Sequence, residues 1–135
     1  MTLMTKIRSP AGPELLQQGR SALERTWSTA AQVPSAVRQQ VNIAAAEVLA
    51  NIIEHGSGGG RPVNVEVEIT VGPGQLQIGI TDDGDEPNIN LDLVKMPDWD
   101  AERGRGLAMA KEVLADLTYR RVGASNVWTL VSKPF

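Results

Sequence analysis

The 135-residue sequence predicts an α+β domain of two layers, a mixed or antiparallel sheet covered by helices on one face. Three observations carry this expectation. Apolar and polar residues alternate with period two over 63–71 and again over 76–80, on either side of Gly72-Pro73-Gly74. Two long stretches before them place apolar residues at helical spacing. A third helical stretch is followed by another pair of short strand-like segments, giving the order βααββ, loop, αββ.

Leu3, Thr5, Ile7 and Ser9 alternate loosely and predict a short edge strand before Pro10. Pro13 falls where a first helical turn tolerates proline. From Glu14 to about Ala31, Leu15, Leu16, Gly19, Ala22, Leu23 and Trp27 share one helical face, and Leu15, Leu16 and Trp27 are expected in the core. Val33-Pro34 breaks that helix, and Ser35 is a suitable N-cap for the next. The second helix runs to His55 and stops at Gly56, with Val37, Val41, Ala44, Ala45, Val48, Leu49 and Ile52 inward; Ser57–Gly60 reads as a flexible loop. The two alternating segments then form an antiparallel hairpin with one wet face and one buried face. Residues 82–102 hold eight acids, one base and two prolines without periodicity, and predict an irregular, mobile segment. A third helix is expected from Leu107 to about Leu117, with Leu107, Ala110, Val113, Leu114 and Leu117 inward. Residues 118–122 and 126–132 complete the sheet around Gly123-Ala124-Ser125.

Composition bounds the chemistry. Hydrophobic residues are 41% of the chain, enough for a core and too many for a disordered chain. The net charge of −3 lacks the basic footprint of a nucleic-acid binder. No cysteine is present, which excludes disulfides, iron–sulfur clusters and thiolate zinc, and the single histidine excludes a multi-histidine metal site. Apolar runs reach only about four residues, as in Ile43–Ala46, far short of the roughly 20 that span a bilayer. The first residues lack a secretory pattern, so a cytoplasmic protein of one domain, residues 1–135, is expected.

Three pieces carry chemistry. Glu47, Asn51 and His55 recur every four residues, which stacks them on one helical stripe with modest drift. They are either a solvated stripe near a helix end or polar groups aimed into a cavity. In the second case Asn51 offers a hard oxygen suited to Mg²⁺ and Glu47 a proton acceptor for a hydroxyl nucleophile. Asp82-Asp83-Gly84 ends the second strand of the hairpin. It is either a turn or a buried acceptor for an exocyclic amine, with Gly84 letting a flat ring approach the backbone. Arg103-Gly104-Arg105-Gly106-Leu107 precedes a helix. It is either a glycine hinge or an anion cradle of backbone N–H groups with two charged donors.

Taken in this order, E-x-x-x-N-x-x-x-H-G, D-x-G and G-x-G-L resemble the GHKL ATP-binding superfamily. Within it, Ala46–Gly56 and Glu102–Leu107 look most like the anti-sigma-factor serine/threonine kinases, and the resemblance spans residues 5–132. It implies a Bergerat-type two-layer sandwich binding ATP or ADP with Mg²⁺, with a lid over about 83–104. It implies Asn51 as the Mg²⁺ ligand, Glu47 as general base, and Asp82 with Gly84 at the adenine. Arg103, Gly104, Arg105, Gly106 and Leu107 would wrap the phosphates, and Thr129 would help read adenine through water. His55 is given a structural role. The implied function is an anti-sigma factor that sequesters a sigma factor and phosphorylates a STAS-type anti-anti-sigma protein on serine. The family tends to form homodimers, and no nucleic-acid or membrane partner is expected. A switch kinase that never touches sigma, and a nucleotide-regulated binding module without catalysis, are the alternatives. Asp85-Glu86 departs from the family pattern: two further carboxylates beside a triphosphate repel it unless they point outward.

Overall fold

The computed structural model describes residues 2–55, 60–87, 89–93 and 105–135, without the side chains of Leu93 and Arg105. The predicted stop at Gly56, the Ser57–Gly59 part of the loop, and most of the proposed lid (88 and 94–104) lie outside the described residues.

The chain runs β1 (Leu3–Pro10), α1 (Pro13–Thr29), α2 (Ser35–His55), β2 (Asn64–Val71), β3 (Leu76–Asp82), a 3-10 turn (Leu91–Leu93), α3 (Arg105–Val113), β4 (Asp116–Val122) and β5 (Ser125–Val131). The five strands form one sheet in the order β1-β2-β3-β5-β4, and every pairing is antiparallel. Of the predicted alternatives, the sheet is therefore the antiparallel one.

Alternation decides which face the helices cover. Val65, Val67, Ile69 and Val71 of β2 and Leu76, Ile78 and Ile80 of β3 are all buried, while their neighbours are not. Trp128 and Leu130 continue this face on β5. The inner face meets α2 through the seven residues the helical spacing predicts, Val37, Val41, Ala44, Ala45, Val48, Leu49 and Ile52. At α1 the prediction is corrected. Leu15 is fully buried, but Leu16 is 36% exposed, and Trp27 is partly buried, packed against the core with the Arg38 guanidinium 5.7 Å from its ring. Thr26 is buried instead, because its hydroxyl donates to Ala22 O at 2.8 Å and so carries no unsatisfied group into the core.

Local chemistry sets the helix ends. α1 starts with Pro at its first position and Glu14 in its first turn, where a negative charge favours the positive end of the helix dipole. Ser35 is not the N-cap of α2: it is the first helical residue, and Pro34 O accepts from Arg38 N at 3.0 Å. The Arg38 side chain holds the preceding turn, its Nε donating to Val33 O at 2.8 Å. α3 ends at Val113, not near Leu117. Leu114 and Leu117 are buried as expected, but from the turn and from β4. The β4–β5 hairpin closes in two residues, with Gly123 at φ +60 in the left-handed region that such a turn uses.

Candidate functional site

One row of the sheet ends the apolar core and begins the site. Across it lie Ser9, Val65, Asp82, Asn126 and Arg121, in register on β1, β2, β3, β5 and β4. Asp82 continues the buried face of Leu76, Ile78 and Ile80, so β3 carries it inward; it is 3% exposed. Its Oδ1 accepts from Gly84 N at 2.9 Å and from Asn126 Nδ2 at 2.8 Å. Buried carboxylates persist where donors replace water, and here two do. Asp83, one residue on, faces the other way. Its Oδ1 accepts from Asn64 N at 2.8 Å, and that bond holds its carboxyl below the ordinary carboxylate range.

α2 faces this row. Asn51, half-buried, and His55, exposed at the helix end, line a small cavity with Asp82, Asn126, Pro87 and Trp128. Its volume is about 10 Å³, room for no more than a water. The drift along the helical stripe has a consequence: Glu47 does not line this cavity. It borders a groove of about 660 Å³ with Gly19, Leu23, Ile43, Leu49 and Met109, between α1, α2 and the α3 side chain. The Glu47 carboxylate packs on Gly106, at the second residue of α3, where any Cβ would overlap it.

The structure thus brings Asn51 and Asp82 to one cavity, with Gly84 N on Asp82, and places Glu47 one turn of α2 away against Gly106. Arg103 and Gly104 lie outside the described residues, as does the Arg105 side chain. Leu107 packs in the hydrophobic core at 8% exposure, so only its backbone is available to a ligand. Thr129 does not join the site. It alternates with the buried Trp128 and Leu130, pairs with Gly79, and so lies on the uncovered face of the sheet. The residue beside Asp82 on β5 is Asn126, three positions earlier and 2% exposed. The signal that identifies it is the alternation itself: Asn126 continues the Trp128–Leu130 face, as Asp82 continues that of Ile80.

Asp85 and Glu86 are both exposed, but Asp85 lines the small cavity with Asn51 and Asp82, so its carboxylate stays close to any polyanion bound there. A second cleft, of about 420 Å³, opens near Arg8, Asn64, Thr81 and Ser125. There Arg8 Nε donates to Glu66 at 3.0 Å, Asp83 takes the Asn64 N–H, and Asp82 lines this cleft as well as the small cavity.

Among the described residues no three His, Cys, Asp or Glu side chains gather to hold a metal. A metal here fits only as Mg²⁺ usually binds, through one or two protein oxygens with water and substrate phosphates. The Asn51 amide, which has no hydrogen-bond partner among the described residues, suits that role. No helix among the described residues is long and apolar enough to cross a membrane.

Known structures share this fold. The fold is similar to the RsbU and RsbW domains of Rv1364c from Mycobacterium tuberculosis, with a TM-score of 0.66 at 19% identity over 98% of this chain. It is also similar to the histidine kinase domain of the blue-light activated histidine kinase of Erythrobacter litoralis EL346, with a TM-score of 0.56 at 19% identity over 83% of this chain. The chain covers 32% of the first structure's chain and 59% of the second's. No curated protein matches it. The family model described as Histidine kinase-like ATPase domain matches residues 9–132, and the chain belongs to that family.

Proposed function

We propose that this chain is an ATP-dependent serine protein kinase and anti-sigma factor. It holds a sigma factor in the cytoplasm and phosphorylates a STAS-type anti-anti-sigma protein on serine. One observation carries the reading: Asn51 of α2 and Asp82 of β3 face a single cavity, while Glu47, one turn from Asn51, lies against the start of α3. The likeness of Ala46–Gly56 to the anti-sigma kinases, and a fold similar to a structure that includes an RsbW domain, support it.

In this reading Asp82 accepts the exocyclic amine of adenine, and Asn51 supplies one oxygen to Mg²⁺. When bound, the metal neutralises charge developing on the phosphates. Glu47 takes the proton from the attacking serine hydroxyl, and the backbone at the start of α3 donates to phosphate oxygens. The groove beside Glu47, at about 660 Å³, has room for an acceptor on another protein to approach the carboxylate. The cavity, at about 10 Å³, must widen to admit a purine. Transfer adds a charge of about −1.5 to −2 to the acceptor and breaks its contact with the kinase.

Incubation with labelled ATP, Mg²⁺ and candidate STAS partners tests the reading. Glu47→Ala is expected to slow transfer by about 10²–10⁴ with ATP still bound. Asn51→Ala is expected to lose Mg²⁺-dependent nucleotide binding. Equal loss of binding and transfer in Glu47→Ala removes the general-base role. Asp85, an extra carboxylate at the cavity that holds Asn51 and Asp82, favours one alternative, a nucleotide-regulated binding module without catalysis. ATP binding with no serine phosphate on any partner that co-purifies selects it.

A further inference from the structure

Asn126 has every hydrogen-bonding position of its side chain engaged within the protein. Its Nδ2 donates to Asp82 Oδ1 at 2.8 Å and to Asp85 O at 2.9 Å. Its Oδ1 accepts from the Tyr119 hydroxyl at 2.6 Å and from Arg121 Nη1 at 2.9 Å. Two donors on the oxygen fix the direction of the amide. Turned over, the NH₂ would face a hydroxyl and a guanidinium, and the amide oxygen would face a carboxylate. The edge strand β4 therefore decides that Asp82 meets a donor. Burial raises the Tyr119 hydroxyl above its ordinary range, and Glu86 adds to this, so the phenol stays protonated and able to donate. Arg121 Nη1 also donates to Gly84 O at 2.9 Å, which ties the strand-ending turn to the same brace.

The consequence falls on Asp82. Its Oδ1 already takes Gly84 N and Asn126 Nδ2, and its Oδ2 has no donor among the described residues. An ionised carboxylate only accepts. Asn126, with no position left, cannot read a ligand. We propose that Tyr119, Arg121 and Asn126 are positioning residues that leave Asp82 Oδ2 as the sole reader of the ring edge, so that β4 sets the preference for an amino-bearing purine over a carbonyl-bearing one. This rests on the nucleotide reading of the cavity. A site that depends on one oriented acceptor rejects a carbonyl strongly, and loosening the acceptor weakens rejection more than it weakens the fold.

The test compares ATP with ITP, which carries a carbonyl where ATP carries the amine. Tyr119→Phe keeps the ring against Trp128, whose centroid is 4.9 Å away, and removes only the hydroxyl. Arg121→Met removes the other donor at similar length, and Arg121→Lys keeps one. Calorimetric titration of the wild-type protein is expected to favour ATP over ITP. In the Tyr119→Phe/Arg121→Met double variant that preference is expected to fall about tenfold, with a cooperative thermal transition retained, and Arg121→Lys is expected to keep most of it. The Asn126 side-chain NH₂ signals in a ¹⁵N spectrum are expected to shift and lose exchange protection in the double variant alone. A wild type that prefers ATP and a double variant that prefers it equally overturn the brace, as do unchanged NH₂ signals. A wild type that binds neither nucleotide overturns the reading of the cavity itself, and with it the base preference, whatever the NH₂ signals show.

Discussion

Gly106 packs its Cα face against the Glu47 carboxylate, and a methyl group there would overlap Oε2. Glu47 Cβ is 3.7 Å from that position, an ordinary contact, so the two backbones need not part. The carboxylate is the end of a flexible side chain and gives way first. Gly106→Ala is therefore expected to leave the fold intact and to turn the Glu47 carboxylate aside, slowing transfer by at least about tenfold. In a Glu47→Ala background the same substitution is expected to cost no further transfer. A double-mutant cycle reads this coupling directly. Additive losses assign Gly106 to the phosphates alone.

At the scale of elements, the start of β2 and the end of β3 are joined by Asp83. Its Oδ1 accepts from Asn64 N at 2.8 Å, and Arg61 Nη2 donates to its backbone oxygen at 2.7 Å. The Asn64 bond favours the ionised carboxyl and lowers its pKa from the ordinary 3.8. A depressed carboxylate adds stability above its unfolded pKa and loses it as the pH falls through the folded one. Asp83→Asn is expected to be less stable than wild type at pH 7. The difference is expected to shrink as the pH is taken below 3.8, measured by urea unfolding at each pH. A difference independent of pH removes the charge from the account. The contribution is small, because the group is near solvent.

Over the whole molecule the sheet has one covered and one open face, and neighbouring residues of β3 divide between them. Ile80 is fully buried against the helices, while a Cβ at Gly79 meets nothing within 4 Å. Ile80→Ala is expected to cost about 2–5 kcal/mol. Gly79→Thr, on the open face opposite Thr129, is expected to gain about 0.5–1 kcal/mol by removing glycine from a strand interior. Chemical denaturation of both variants checks the pair. Loss of stability in Gly79→Thr means that something covers the outer face.

Much of this was legible in the chain. Period-two alternation gave β2 and β3, and helical spacing gave the seven inward residues of α2, because burial on one face leaves its period in the sequence. The same alternation carries Asp82 and Asn126 inward. Thr129 was misplaced because a motif match ignores which side of the pleat a residue occupies, and a slip of one residue changes the face. The end of α3 was misjudged because Leu114 and Leu117 are buried in either conformation, and only pairing with β5 makes the latter a strand residue. The sequence by itself determined the layers, the inward faces and the chemical kinds of the site residues, since these follow from local periodicity. Only the tertiary structure decided which residues meet: Asn126 on Asp82, Glu47 on Gly106, and Asn51 with Asp82 at one small cavity. Such contacts join positions far apart in the chain, and no local period records them.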